Sequence, residues 1–416
     1  MSRLWRLNKL QTMKNLLFVL SYSQKKRFNL KIKLFHMSKL LKLFVIVSLS
    51  LLFFANCDKK RGDDKNTIKL ESTVNKTLTL GKVSEIIQLE TSEESLLDFI
   101  TKTYIDKQNN RIFVNSRMNI FLFDLKGKFI TKLIKGKGPG EVNMVVSFTV
   151  DAKNKRFYVL DFGSIIHIYD YNANHIETQN LTEFYSLDLH PIDKENLFLY
   201  CSYVGRKEKY FVGIYNLKEK KIVERFIPSD ESPYSILCAG NASNFYEFQN
   251  RLFFSSSNIF GLYEFQSDTF RRTINFDIGV RAVPESFYGK YVEKRKRSGF
   301  GSDALKKGYV PYLRESFFFN GYYLTVLYDE SSSCYAINAT NRNRVYFKEQ
   351  LSDYFNLPRV NSLYRACAVQ DDFMTFACSP LDFFEENSTE KGKSVQIAGQ
   401  KINVDYDSNP FLIVVK

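Results

Sequence analysis

The sequence is poor in the residues that usually build metal and nucleophile sites. It holds 4 His and 6 Cys in 416 residues. It has no C-x-x-C pair, no H-x-x-x-H, no EF-hand loop and no G-x-S-x-G elbow. No cofactor is expected from it. Of the three histidines beyond the leader, His167 sits in the apolar alternation IIHIY and reads as a packed strand residue. His175 lies in a turn-like segment, and His190 completes the set. The cysteines after Cys57 are Cys201, Cys238, Cys334, Cys367 and Cys378, an odd set that cannot pair completely. Isolated cysteines within apolar strands read as small buried hydrophobes. An oxidising compartment would permit a Cys367–Cys378 bridge across a hairpin, but buried thiols are the expectation.

Acidic residues are missing altogether from the first 56 positions, which hold 11 Lys/Arg. The net charge of +14 therefore arises mainly in a leader, because residues 57–416 carry 48 basic and 45 acidic side chains. A global polyanion-binding surface is excluded, and no nucleic acid is expected as a partner. Disorder is excluded too, since 44% hydrophobic and 15% aromatic residues provide ample core material.

The leader has its own organisation. Residues 43–56, LFVIVSLSLLFFAN, follow Lys39 and Lys42 and end at Cys57. A short apolar run behind a basic stretch reads as an export signal and is shorter than a spanning helix of ~20 residues. Met37 opens a normal signal sequence at 37–56. Residues 1–36 then read as an extension upstream of the true start, the alternative being a genuine N-terminal segment. FFANC resembles a lipobox, with Phe54 and Asn56 where Leu and a small residue are usual. Lipidation of Cys57 is the expectation, with ordinary signal cleavage or an uncleaved anchor as alternatives. Residues 57–66 would form a polar tether. Acyl chains on Cys57 would tie the protein to a membrane, since more than one chain holds firmly.

Beyond the tether, amphipathic helix patterns are scarce and short β-rich runs recur. Units begin at Asn110, Lys155, Glu195, Asn250, Asn320 and Asp371, with spacings of 45, 40, 55, 70 and 51 residues. Most units open on a turn residue and an apolar–aromatic strand, and two further strands follow. Short antiparallel strands at a period of ~40–50 residues describe propeller blades, which bury their faces by stacking around an axis. The expected fold is all-β, a six-bladed β-propeller over residues 67–416. Residues 67–106 are expected to supply the outer strand that closes the ring, with a short helical stretch near Glu93–Phe99. The terminal NPFLIVVK is expected to be an inner strand of the same blade.

GKGPGEVNMVVSFTVDAKNKRFYVLDFGSIIHIYDYNANHI resembles the NHL-type propeller repeat. Together with the lipobox-like leader, IIQLETSEESLL, FDLKGKFITKLIKGKGPGE and NPFLIVVK, it looks like the six-bladed β-propeller lipoproteins of Bacteroidetes. That resemblance implies a cell-envelope protein, an outer-membrane lipoprotein facing the periplasm or the surface. It implies no catalytic residues.

Two segments invite a functional reading. Lys135–Glu141 (KGKGPGE) could cradle a phosphate, but it lacks P-loop spacing and a following helix, so it reads as an inter-blade turn. The longest spacing holds an insertion near 281–316, and residues 281–315 carry nine Lys/Arg against four Asp/Glu. A helix is expected from Glu285 to Arg297, behind Pro284. Phe287, Tyr288, Arg295, Arg297, Lys307, Tyr309 and Tyr312 combine cationic and aromatic groups suited to an acidic glycan, a carboxylated peptide or a partner protein. The plainer reading is a solvated helix whose rings pack on the propeller. The expected function is a binding module for a glycan, peptide or envelope protein. The competing function is a polysaccharide-active lyase or glycosidase with carboxylates at the axis. A scaffold with a flat, neutral mouth is the third.

Overall fold

The computed structural model describes residues 66–70, 77–201, 208–228, 243–293, 299–385 and 389–416. Cys57, the export signal and the first 36 residues lie outside these, as do Cys238, Arg295 and Arg297. Two strands come first, β1 (Thr67–Lys69) and β2 (Val83–Ile87). Blade 1 is β3 (Ile100–Asp106), β4 (Arg111–Ser116), β5 (Asn119–Phe123) and β6 (Phe129–Lys132). Blade 2 is β7 (Val145–Asp151), β8 (Arg156–Asp161), β9 (Ile165–Asp170) and β10 (His175–Asn180). Blade 3 is β11 (Ser186–Pro191), β12 (Asn196–Cys201), β13 (Tyr210–Asn216) and β14 (Lys221–Pro228). Blade 4 is β15 (Phe245–Phe248), β16 (Arg251–Phe254), β17 (Gly261–Gln266) and β18 (Thr269–Asp277), with β1 added in parallel outside β18. Blade 5 is β19 (Leu313–Phe319), β20 (Tyr322–Leu327), β21 (Cys334–Asn338) and β22 (Val345–Lys348). Blade 6 opens with β23 (Ala368–Gln370) and β24 (Phe373–Cys378). A separate hairpin, β25 (Gly392–Ile397) and β26 (Gln400–Asp405), then intervenes before β27 (Phe411–Val415). The fold is the six-bladed β-propeller read from the sequence.

Each repeated unit begins in the turn between the first and second strands of its blade, so the inner strand lies just ahead of it. Five of the six opening residues are left-handed: Asn110, Lys155, Asn250, Asn320 and Asp371 have φ of 45–59°. Tight hairpins need this backbone, which is why turn residues mark the period. The exception, Glu195, follows Asp193, whose carboxylate accepts the amides of Glu195 and Asn196 and makes the turn instead.

Middle strands read as unbroken apolar runs because blades cover both their faces; β5 is buried at every position. Outer strands alternate, as in β6. Some of the contacts between blades are aromatic and others aliphatic. Phe198 of blade 3, for example, lies 5.0 Å from Phe265 and 5.2 Å from Phe270 of blade 4, edge to face. Cys201, Cys334, Cys367 and Cys378 are buried, and Cys367 and Cys378 are thiols with no bridge between them.

Ring closure joins the two chain ends. β2 pairs antiparallel with β27, from Val83 opposite Val415 to Ile87 opposite Leu412. The early segment thus supplies the outer strand, as expected. The C-terminal strand differs from expectation. It is the third strand of blade 6, between β24 and β2, and β23 takes the inner place. The hairpin at 392–405 separates β24 from its partner in sequence, which hid the true order. The helix expected near Glu93–Phe99 is also absent. Ser95 Oγ donates to the Glu90 carbonyl and accepts the Ser92 amide, while Asn409 holds Leu97 N–H and the Ser95 carbonyl. These side-chain bonds satisfy the backbone in an irregular turn instead. All ring strands fall within residues 66–416, which form one compact unit.

Four of the six inner strands carry a bulge near their start, between Ile100 and Lys102, Val145 and Ser147, Ser186 and Asp188, and Leu313 and Glu315. A bulge re-aims the side chain that follows it. Here it brings Lys102, Ser147 and Asp188 together at one end of the axis. Lys102 Nζ lies 2.9 Å from Asp188 Oδ1, and Ser147 Oγ donates to the same oxygen at 2.5 Å. Asp188 Oδ2 accepts the amides of Asn244 at 2.6 Å and Phe245 at 3.3 Å. One buried carboxylate therefore fastens four consecutive blades.

Removing it leaves Lys102 and two backbone amides without their acceptor. Asp188→Ala is expected to lower unfolding stability by roughly 3–5 kcal/mol, the range for breaking a buried pair, read as a fall in the urea midpoint. Asp188→Asn, which keeps the shape, should lose less.

Candidate functional site

Strand direction sorts the loops onto two faces. Connections from blade to blade, and those between second and third strands, share one face. That face receives the insertion after β18, the hairpin β25–β26 and the Lys135–Glu141 turn.

The insertion forms two helices, α1 (Glu285–Glu293) and α2 (Phe300–Leu305). The first begins at the expected residue. Phe287, Tyr288, Tyr309 and Tyr312 pack with Tyr291 around Val283, Phe300 and Ala304 in a small core of their own. Phe287 lies 5.5 Å from both Tyr291 and Tyr309, and Tyr288 lies 6.0 Å from Phe300. Tyr312 rests 4.5 Å from Tyr328, and burial, then the Tyr328 hydroxyl, pushes its pKa up to about 12. Lys307 is exposed. The rings of the insertion thus pack mainly on one another, where the plainer reading packs them on the propeller. Arg281 docks the segment on blade 5 through Asp329 at 3.2 Å and the Tyr335 hydroxyl at 3.1 Å.

Lys135–Glu141 joins β6 to β7, an inter-blade turn. Glu141 folds back to accept the Gly138 amide at 2.8 Å. Gly140 has φ of +73°, and a Cβ there would strike His175. His167 is a packed strand residue, 2.9 Å from Thr178 Oγ1 and 3.5 Å from Asp161. His190 meets Glu247 at 3.2 Å. Among the described residues no group of His, Cys, Asp and Glu could hold a metal ion.

At the axis β15 and β23 lie side by side, joined by the Gln249 amide on the Asp371 carbonyl at 2.7 Å, and β19 is set back. Glu315 on β19 is thereby buried, only 7% exposed, in a recess of about 30 Å³ with Ser243, Tyr246 and Cys367. Burial raises its pKa to about 7, against the pull of Arg365 and the Ala366 amide bond. The axial channel beside it encloses about 100 Å³. Among the described residues this is less than the ~300–1,000 Å³ of a usual ligand site.

A site roomier than the axis is a cleft of about 400 Å³ between blades 6 and 1 on the insertion face. Ile100, Cys367 and Ala377 line it more deeply, and Leu96, Phe99, Leu381 and Tyr406 expose apolar surface along it. The Arg365 guanidinium lies 4.6 Å from the Phe99 ring centroid, and Arg117 pairs with Asp98 at 3.4 Å. Burial of Cys367 pushes its thiol up to about 12, so it acts as wall, not nucleophile. Apart from Cys367, considered there only for a bridge, none of these residues was singled out in the sequence. The usable signal was the long gap between β24 and the final strand, a second insertion on the same face.

The architecture defines a six-bladed β-propeller with both insertions and an apolar cleft on one face. The chain belongs to the family described as a domain of unknown function, DUF4934, which matches residues 62–416. No curated protein matches the sequence. A candidate exported protein from Bacteroides fragilis is similar in structure, with a TM-score of 0.64 at 15% identity, over 84% of this chain and 99% of that one. U3-55K aligns with a TM-score of 0.41 at 11% identity, over 72% of this chain and 79% of its own. The WD40 repeats of RRP9 align at 0.43 and 9% identity, over 82% and 100%. The first likeness shows a shared fold, and the other two carry no argument.

Glu315 makes stability depend on pH. Below its ordinary value of 4.5 the carboxyl is neutral in folded and unfolded chains alike. From there to about 7 the unfolded chain ionises while the fold keeps its proton, so stability falls as pH rises. The fall amounts to about 3 kcal/mol at 1.36 kcal/mol per unit. Glu315→Gln should flatten this slope, seen as urea midpoints at pH 5 and pH 8 that lie closer together than those of wild type.

Proposed function

We propose that the protein is an exported, lipid-anchored binding module that takes a peptide segment of an envelope partner into the cleft between blades 6 and 1. The observation that carries this reading is the exposure of Leu96, Phe99, Leu381 and Tyr406 around one cleft with Arg117 and Arg365. Large apolar side chains grouped on a surface mark interaction sites. A sugar platform would need open aromatic faces. Phe99 instead carries Arg365, and Tyr406 meets Phe384 edge to face at 5.4 Å. Aliphatic groups beside stacked arginine suit a peptide with apolar side chains and a carboxylate. Lipidation of Cys57 and the tether to residue 66 supply the envelope location. Among the described residues no helix is long and apolar enough to cross a membrane. Lys307, an exposed cation of the insertion, belongs to a loop on the same face.

The test is a thermal-shift panel of peptides, oligosaccharides and peptidoglycan fragments, since a ligand of the folded state must raise its stability. Peptides with leucine or phenylalanine next to an acid are expected to raise the melting temperature. Phe99→Ala with Leu381→Ser should weaken that binding about tenfold or more, as loss of a buried apolar anchor does, with the free protein's melting temperature unmoved. A shift with oligosaccharides alone, or binding indifferent to these substitutions, would overturn the reading.

A further inference from the structure

The insertion face carries a second apolar group, on the loop tips of blades 1 and 2. Met118 is 54% exposed, Ile134 69% and Phe162 54%, and Met144 is exposed beside them. The tips are laced together. Val145 N–H donates to the Met118 carbonyl, Phe162 N–H to the Met144 carbonyl, and Lys135 Nζ to the Arg117 carbonyl at 2.8 Å. Asp161 accepts the amides of Asn143 and Met144. The tips therefore form a rigid cluster.

The Arg117–Met118 turn is itself unusual. Both residues are left-handed, with φ of 51° and 56°, in a two-residue hairpin between β4 and β5. Asn-Gly is the favoured pair in such a turn, because bulky side chains strain that backbone. Here the turn holds a long cation and a long apolar chain, and the apolar one points to solvent. Cations interleave with the apolar tips, namely Lys135, Lys137 and Arg117, the last paired with Asp98, and the acids Glu141 and Asp161 are turned inward onto backbone amides. Exposed apolar groups ringed by cations complement an interface of acyl chains beneath anionic headgroups.

We infer that Met118, Ile134, Met144 and Phe162 dip into an anionic bilayer, so that the propeller rests on the membrane by the blade 1–2 corner of its insertion face. The inference rests on the envelope location proposed above but not on the peptide cleft.

Residues 66–416, a compact unit without leader or acyl chain, are the material for the test. They are sedimented with vesicles of phosphatidylethanolamine and phosphatidylglycerol, and with phosphatidylcholine vesicles as reference. Binding to the anionic vesicles that weakens with salt is expected. Met118→Asp with Ile134→Asp and Phe162→Asp should lower the partition coefficient at least tenfold. Ile192→Asp, on the opposite face, should leave it unchanged. Each variant is checked for an unaltered melting temperature and for peptide binding, so that failure at the membrane is distinguished from failure of the cleft. Absence of vesicle binding by the wild-type propeller would overturn the inference, as would equal binding by the triple variant.

Discussion

The pairing of Val83–Ile87 with Phe411–Val415 is the constraint on which the rest depends. A propeller blade has two large faces and cannot bury them alone; each is covered only if the ring has no gap. The last blade borrows its outer strand from the beginning of the chain, and blade 6 then packs on blade 1 through Phe373, Leu412 and Val414 against Ile112, Val114 and Phe123. The cleft is a by-product of this closure. Its residues lie near 96–100, 117, 362–381 and 406–410, segments from the two ends of the chain that meet only because the ring is shut.

That origin explains what the sequence made legible. The outer three strands of each blade were readable because their signals are local: a left-handed turn residue such as Asn110 or Asn320, an apolar run, and an Asp or Asn turn. The inner strands were not, because bulges at Lys102, Ser147, Asp188 and Glu315 break the alternation that marks a strand. Position within blade 6 was misread because a hairpin interrupts it. The insertion after β18 was found from its spacing and its proline, and its rings proved to fold on themselves. Phe99, Arg365 and Leu381 carried no local signature, since nothing in one short segment reports a neighbour about three hundred residues away.

Two buried carboxylates at the axis have opposite circumstances. Asp188 is met by a lysine, a hydroxyl and two amides, so its charge is compensated where blades 1 to 4 converge. Glu315 sits where β15 and β23 close in front of β19; it accepts one amide, and desolvation outweighs the attraction of Arg365. The same backbone device, a bulge at the head of an inner strand, thus yields a clamp in one place and, in another, a carboxyl that keeps its proton well above its ordinary range. The difference lies in what the neighbouring blades offer.

The parallel addition of β1 to blade 4 has a mechanical meaning. Any pull on the chain ahead of Asn66 is taken first by Thr67–Lys69, through bonds such as the Asn275 amide on the Asn66 carbonyl and the Leu70 amide on the Asp277 carbonyl. Force directed along that strand loads these bonds in shear, together rather than one by one. The closing strand β2 lies further along the chain, so traction that stripped β1 would release slack before it reached the seam of the ring. The short strand works as a strain relief, the part that gives way so that the barrel of blades does not open.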